Sequence, residues 1–247
     1  MLEGEYLDQP LLRAEPVQPH LGNRDHLGVH EQQDGKFYVG VKPTVGHAKG
    51  EQLIEIAEAA ERFGISRIRT TPMKELIFLD VDKDDVDGLK AALDATGLYS
   101  EPTEFRRGVM SCTGLEFCKL SHATTKARAI RMVDDLEEAL GDVDVPITIS
   151  LNGCPNSCAR TQVSDIGFKG QTVTDAEGNR VEGFQVHLGG AMGLGHEEWG
   201  RKLRGHKVLA DEVSDYVIRV VGNFKEHAEP GEQFRDWVVR ADEELLK

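Results

Sequence analysis

The chain of 247 residues has no apolar run approaching the roughly 20 residues of a membrane-spanning helix. Its first 30 residues also lack the basic-then-apolar order of a secretory signal, so a cytoplasmic protein is expected, with no membrane partner. Cations are scarce: 29 Lys plus Arg stand against 43 Asp plus Glu, a net charge of −14. A surface that binds phosphate backbones needs the opposite balance, so nucleic acid is not expected as a partner. Aromatic residues make up only 6% of the chain, and Trp199 and Trp237 read as packing residues. What remains, 39% hydrophobic and 29% charged, is a globular composition and not a disordered one. The length suits one large domain or two small ones.

The few cations are unevenly placed. Residues 106 to 131 hold Arg106, Arg107, Lys119, Lys126, Arg128 and Arg131 against the single acid Glu116, a local balance of +5. Residues 201 to 207 hold Arg201, Lys202, Arg204 and Lys207 with no acid, a balance of +4, so the rest of the chain carries −23. Such runs are commonly solvated faces; two of them in an acidic chain also ask what anion they meet.

Residues 1–30, with Pro10, Pro16, Pro19, Gly4, Gly22 and Gly28 and no sustained period, read as an arm or linker. Alternation of Phe37, Val39 and Val41 predicts a strand over 36–42, and Leu53, Ile56, Ala57 and Ala60 share a helical face over 51–63. Strands over 67–71 and 76–81 and a helix over 84–96 complete an α+β unit, 31–103, with a boundary at Glu101-Pro102-Thr103. The second unit, 104–247, is expected to hold a long helix over 117–140, strands over 147–151, 163–168 and 181–188, and helices over 210–224 and 231–246. The long helix is basic at its start and acidic at its end, against the preference of the macrodipole. An anion near its start would account for that.

Cysteine is the rarest feature with consequences. All four fall in one 47-residue window, Cys112 and Cys118 as C-x5-C, then Cys154 and Cys158 as C-x3-C. Disulfides do not suit a chain without an export signal. Structural zinc prefers shorter loops than C-x5-C, four thiolates match a [4Fe–4S] cube, and buried inert thiols are the bland reading. Gly153 within Asn152-Gly153-Cys154-Pro155-Asn156-Ser157-Cys158 permits a tight turn of exposed N–H groups, and Met110-Ser111-Cys112-Thr113-Gly114 leads toward a helix start. Both favour an anionic cluster.

C-T-G-L-E-F-C-K followed by N-G-C-P-N-S-C-A-R resembles the signature of the siroheme-dependent sulfite and nitrite reductases, and chance agreement at this spacing is remote. Gly28-Val29-His30 through Arg69-Thr70-Thr71 and Leu76-Ile77 is similar to that family's ferredoxin-like half-domain. Gly183 to Gly190 is similar to a later strand of its siroheme domain, and about 210 residues are covered. The resemblance implies an α+β fold: a ferredoxin-like half-domain followed by a mixed α/β domain that binds siroheme and a [4Fe–4S] cluster. Cys112, Cys118, Cys154 and Cys158 would ligate the cluster, Cys158 also bridging to the siroheme iron. Asn152 and Asn156 would support the cluster turn, and Arg69, Thr70 and Thr71 would line the macrocycle, although Pro72-Met73-Lys74 departs from the commoner Thr-x-x-Gln form.

Siroheme bears many carboxylates, so its pocket must be cationic; Lys119, Arg128, Arg160, Lys169 and the 201–207 island are the candidates. The island is alternatively a docking face for an acidic donor. The implied reaction is six-electron reduction of sulfite to sulfide or nitrite to ammonia, with ferredoxin as donor and a small anion as substrate. The chain resembles the C-terminal half of the fused enzymes, so a separate N-terminal half or a homodimer is the expected partner, and the residues that separate sulfite from nitrite belong to the other half. The competing reading is a cluster-carrying electron-transfer protein without a complete substrate site. His187 reads as a core residue and His122 as a neighbour of the cluster.

Overall fold

A computed structural model describes residues 25–191 and 198–247. The expected arm lies, up to residue 24, outside the described residues; its end does not stay irregular, because Gly28–Glu31 forms strand β1. β1 pairs antiparallel with β2 (Phe37–Pro43), which pairs with β4 (Leu76–Val81), which pairs with β3 (Ile68–Thr70), so the order is β1-β2-β4-β3. Helices α1 (Gly50–Arg62) and α2 (Val86–Asp94) cover one face, and the short β5 (Leu98–Tyr99) pairs with the end of β2. Strand alternation decides the faces: Val39 and Val41 of β2 join Phe78, Ile56, Leu89 and Leu93 in one apolar core. Lys42, one residue out of phase with them, points to the other face.

The second unit begins with α3 (Glu104–Gly108) and β6 (Val109–Ser111), followed by α4 (Lys126–Leu140) and β7 (Ile149–Asn152). Strands β8 (Ile166–Thr174), β9 (Arg180–Leu188) and β10 (Arg201–Leu209) complete a mixed sheet in the order β10-β9-β8-β7-β6. β6 and β8 run parallel to β7, and β9 and β10 are antiparallel additions. α4 is the crossover between β6 and β7, as parallel strands require. α5 (Val213–His227), α6 (Phe234–Arg240) and α7 (Glu243–Leu246) close the chain. Phe168, Phe184, Met132, Leu136, Val217 and Trp237 are fully buried between this sheet and its helices, each contributing about 1.5–3 kcal/mol of apolar burial. The α+β class with a ferredoxin-like half-domain and a mixed second domain is as the sequence indicated.

Four expectations change. The helix predicted from 117 starts at Lys126; residues 112–125 are irregular, tied by Leu115 N–H to the Ala123 carbonyl (3.2 Å) and Ser121 Oγ to the same oxygen (2.8 Å). Two large apolar residues of this stretch are exposed, Phe117 by 76% and Leu120 by 64%, whereas Ala123 is buried. The basic stretch at 201–207 is a strand, its alternation hidden by four cations with only Leu203 turned inward. The closing helix is broken between Arg240 and Glu243. Trp237 packs against Phe224 and Phe234, whereas Trp199 is exposed and packs into no core.

The charge reversal on α4 is settled by tertiary pairs. At its acidic end Arg106 donates to Asp134 (2.9 Å) and Glu137 (2.6 Å), and Lys225 donates to the Leu140 carbonyl (2.9 Å). At its basic start the anion is Glu116, whose carboxylate accepts from the N–H groups of Thr125 (3.5 Å) and Ala127 (3.4 Å). These contacts outweigh a dipole preference of about 0.3–1 kcal/mol per charge.

Candidate functional site

Because β6 and β7 are neighbouring parallel strands, with Ser111 opposite Leu151, both chains leave the sheet at the same end. Cys112 follows directly on β6, and Gly153-Cys154 follows directly on β7. Ligand sites of open parallel sheets form at that end, outside the carboxyl termini of the strands. The two cysteine segments are then locked together. Gly153 N–H donates to Cys112 Sγ (3.2 Å), and the His122 N–H donates to the Gly153 carbonyl (2.6 Å). A Cβ at position 153 would lie 1.8 Å from Ser121 Oγ and 2.9 Å from the Ala123 carbonyl oxygen, so only glycine permits this approach.

All four cysteines are free thiols: Cys154 is buried, Cys112 and Cys118 half-buried, and Cys158 exposed. Cys112 Sγ also lies 3.7 Å from Thr125 Oγ1 at the start of α4, and Thr125 in turn donates to the Cys112 carbonyl (2.9 Å). The helix end expected beside Cys112 is therefore present, delivered by a returning loop and not by direct continuation. Among the described residues, no three Cys, His, Asp or Glu side chains converge closely enough to hold a single metal ion. The donor set of four thiols on two turns, with a backbone N–H directed at one sulfur, fits an iron–sulfur cube, whose sulfurs take such N–H bonds.

Asn152 is buried, its amide donating to Thr161 Oγ1 (2.6 Å) and its carbonyl accepting from the Ala159 N–H (2.6 Å), which folds 153–161 back on itself. Asn156 is exposed in that turn. Arg160, in a left-handed conformation (φ 63°), reaches across to the Pro72 carbonyl (3.1 Å) and lies beside the sulfurs of Met73 and Met110. It thus brings the ferredoxin-like unit onto the cysteine turn. Arg69 and Thr70 are exposed on the edge strand β3, while Thr71 is spent locally, donating to Glu75 (2.6 Å) and accepting from the Met73 N–H. Lys119 is exposed.

The basic islands divide once their partners are known. Arg106, Arg107 and Arg128 are committed to Glu137, Asp25 and Asp211 respectively, so they are clamps between elements. Two lysines, Lys74 and Lys126, lie beside Cys112 instead, with Lys42 next to Lys74. Lys42 donates to the Arg107 carbonyl, Lys74 to the Ser111 carbonyl and Lys126 to the Val45 carbonyl (2.8 Å). Burial pushes Lys42 down to about 8. Burial and the neighbouring Lys126 push Lys74 down to about 7, while Lys126 itself is lowered by burial. Lys42 sits alone in an ordinary strand and no local signal marks it, whereas Lys74 stood out only as a departure from the Thr-x-x-Gln form. His187 is buried, its Nε2 without a partner among the described residues, and burial lowers its pKa. His122 is exposed.

A mixed sheet presenting two cysteine turns at the carboxyl ends of parallel strands, with a half-domain pressed on them, defines an iron–sulfur domain of the reductase type. The comparisons agree. The "Nitrite/Sulfite reductase ferredoxin-like half domain" matches residues 30–96 and the "Nitrite and sulphite reductase 4Fe-4S domain" matches residues 103–247. The chain belongs to the nitrite and sulphite reductase family, and membership implies a [4Fe–4S] cluster and siroheme as cofactors. It is 50% identical to "Sulfite reductase [ferredoxin] 2" of Mycolicibacterium paratuberculosis, over all of this chain and 45% of that protein. It is 35% identical to the "Assimilatory ferredoxin-dependent nitrite reductase" of Haloferax mediterranei, over 96% of this chain and 42% of that one. The solved structure of the Mycobacterium tuberculosis NirA protein superposes with a TM-score of 0.92 at 50% identity, covering all of this chain and 46% of that one. The chain thus spans less than half the length of the relatives it matches. Among the described residues no helix is long and apolar enough to cross a membrane.

Proposed function

We propose that this chain is the cluster-bearing half of a ferredoxin-dependent reductase that carries out six-electron reduction of a small oxyanion. Sulfite is the first substrate to test, since a sulfite reductase shares 50% identity with the chain and a nitrite reductase 35%. The observation that carries the reading is the Gly153 lock, which places both cysteine turns at one end of the parallel strands. Cys112, Cys118, Cys154 and Cys158 are the ligands, and the exposed Cys158 is the one offered to siroheme. Siroheme and the cluster, when bound, supply electron storage and an iron for the oxyanion. The chain's own residues hold them: Asn152 fixes the ligand turn, Arg160 sets the half-domain against it, and Arg69, Thr70, Lys119 and Asn156 are the exposed groups left for carboxylates. A second half of the same build, from another chain or a second copy, completes the substrate site.

The exposed cations of β10 fit an acidic electron donor. Lys207, Gln185, Lys169 and Asn152 stand in one row across the sheet. Three inter-strand steps set Lys207 about 14 Å from the ligand turn. Charge reversal at Arg201 and Lys202 is expected to raise the apparent KM for ferredoxin with siroheme retained; loss of siroheme instead would refute docking at this strand. The reading as a whole is tested by anaerobic purification and absorption spectroscopy. Siroheme bands together with the cluster absorption support it, a cluster shoulder alone favours an electron-transfer protein, and zinc without iron contradicts both.

A further inference from the structure

The structure places a pair of lysines beside Cys112. Lys74 occupies a left-handed backbone position (φ 64°), and its side chain runs along Gly46, where a Cβ would come within 2.5 Å of the lysine Cδ. Its amine ends on the Ser111 carbonyl, one residue before Cys112. Lys126, held by the Val45 carbonyl, is its strongest ionic neighbour. Among its ionic neighbours Lys126 and Lys42 repel Lys74, and the Cys112 sulfur attracts it. For Lys126 the attractive charges are Cys112 and Glu116. Two half-buried amines side by side are unfavourable unless an anion faces them. A strained backbone and a side-chain groove held open by glycine are the means by which the fold keeps Lys74 there.

We propose that Lys74 and Lys126 form a cationic seat on the Cys112 side of the cluster, which raises its reduction potential and fixes the backbone next to that ligand. This rests on the cluster assignment of the preceding subsection. Reduction adds one electron to the centre, and a nearby fixed positive charge stabilises the more negative state. Lys74 acts through Ser111 and through its field, so it is a positioning residue.

The test uses the full chain with its cluster assembled anaerobically from iron and sulfide, followed by EPR-monitored redox titration. The K74Q/K126Q double variant is expected to keep its iron and sulfide while the equilibrium constant for one-electron reduction falls about tenfold or more, a drop of about 59 mV for a one-electron couple. K74R/K126R is expected to stay near the wild-type potential. If the double variant assembles no cluster, K74Q and K126Q singly carry the test, and each must show a fall. A cluster whose potential is unmoved in the glutamine variants overturns the proposal. A wild-type chain that takes up no cluster overturns the functional reading, and this seat with it.

Discussion

Gly153→Ala tests the lock between the two cysteine turns. The added methyl would meet Ser121 Oγ at 1.8 Å and the Ala123 carbonyl oxygen at 2.9 Å. Ordinary contacts need about 1.5 Å more on the tighter side. Rotating Ser121 relieves the first contact but sacrifices its bond to Ala123; the second contact is backbone and cannot rotate away. Separation of the turns also breaks Gly153 N–H to Cys112 Sγ and His122 N–H to the Gly153 carbonyl. Three bonds at about 1 kcal/mol each, with about 1–3 kcal/mol of overpacking, give a loss on the order of 4–6 kcal/mol. Urea unfolding of the chain, followed by fluorescence of the buried Trp237, should show the midpoint falling by more than about 1 M with little change in slope. Iron bound per chain should fall with it. The double variant Gly153→Ala/Ser121→Gly removes the tightest contact and should recover part of both. An unchanged midpoint with full iron in Gly153→Ala would refute the argument that these turns are locked by contact.

Lys42 carries a pH signature: its pKa is held at about 8 against an ordinary 10.5. Below pH 8 the folded state bears the full cost of a buried charge, and that cost is relieved as the pH rises from 8 through 10.5, where the unfolded chain still binds the proton. The displacement corresponds to about 3 kcal/mol, of which the bond to the Arg107 carbonyl returns about 1 kcal/mol. Lys42→Met is therefore expected to be more stable by about 2 kcal/mol at pH 7 with the advantage gone near pH 10.5, and denaturation series at the two pH values would expose an error of sign. Asn152→Ala deletes both bonds that fold the ligand turn and leaves the Ala159 N–H unpaired, so a loss of about 2–4 kcal/mol and of bound iron is expected by urea titration and iron analysis. Cys158→Ala, at an exposed sulfur, is expected to shift stability by less than about 0.5 kcal/mol while siroheme is no longer retained on gel filtration; siroheme retained at full occupancy contradicts the bridging role.

Much of this architecture was legible in residue order, for reasons that are local. Period-two alternation in Phe37, Val39 and Val41 and helical spacing of Leu53, Ile56 and Ala60 are readable without tertiary knowledge. Leu53 nevertheless ended exposed, since the stripe on α1 is centred on Ile56, Ala59 and Ala60. The four cysteines were legible because their spacing is rare. Illegible features depend on what arrives from elsewhere in the chain. Phe117 and Leu120 share helical spacing with Ala123 and Ala127, but hydrogen bonds to Ala123 and to Gly153 hold that segment as a loop. Strand β10 was obscured because an edge strand needs few apolar residues, and its cations satisfied a loop equally well. Arg106, Arg107 and Arg128 looked like an anion-binding run and are clamps. Lys74 and Lys126 are the cations delivered to Cys112, and only the crossing of the two units reveals it.

The central claim, that four cysteines on two locked turns hold one [4Fe–4S] cluster, is tested most directly by metal and sulfide analysis with EPR of the reduced protein. The measurement is made on the chain and on its four single Cys→Ser variants after anaerobic assembly. The account predicts about four iron and four sulfide per chain in the wild type, a reduced-cluster signal, and loss of iron at Cys112, Cys118, Cys154 and Cys158 alike. One zinc per chain in place of iron, or a full iron complement surviving each of the four substitutions, would contradict it.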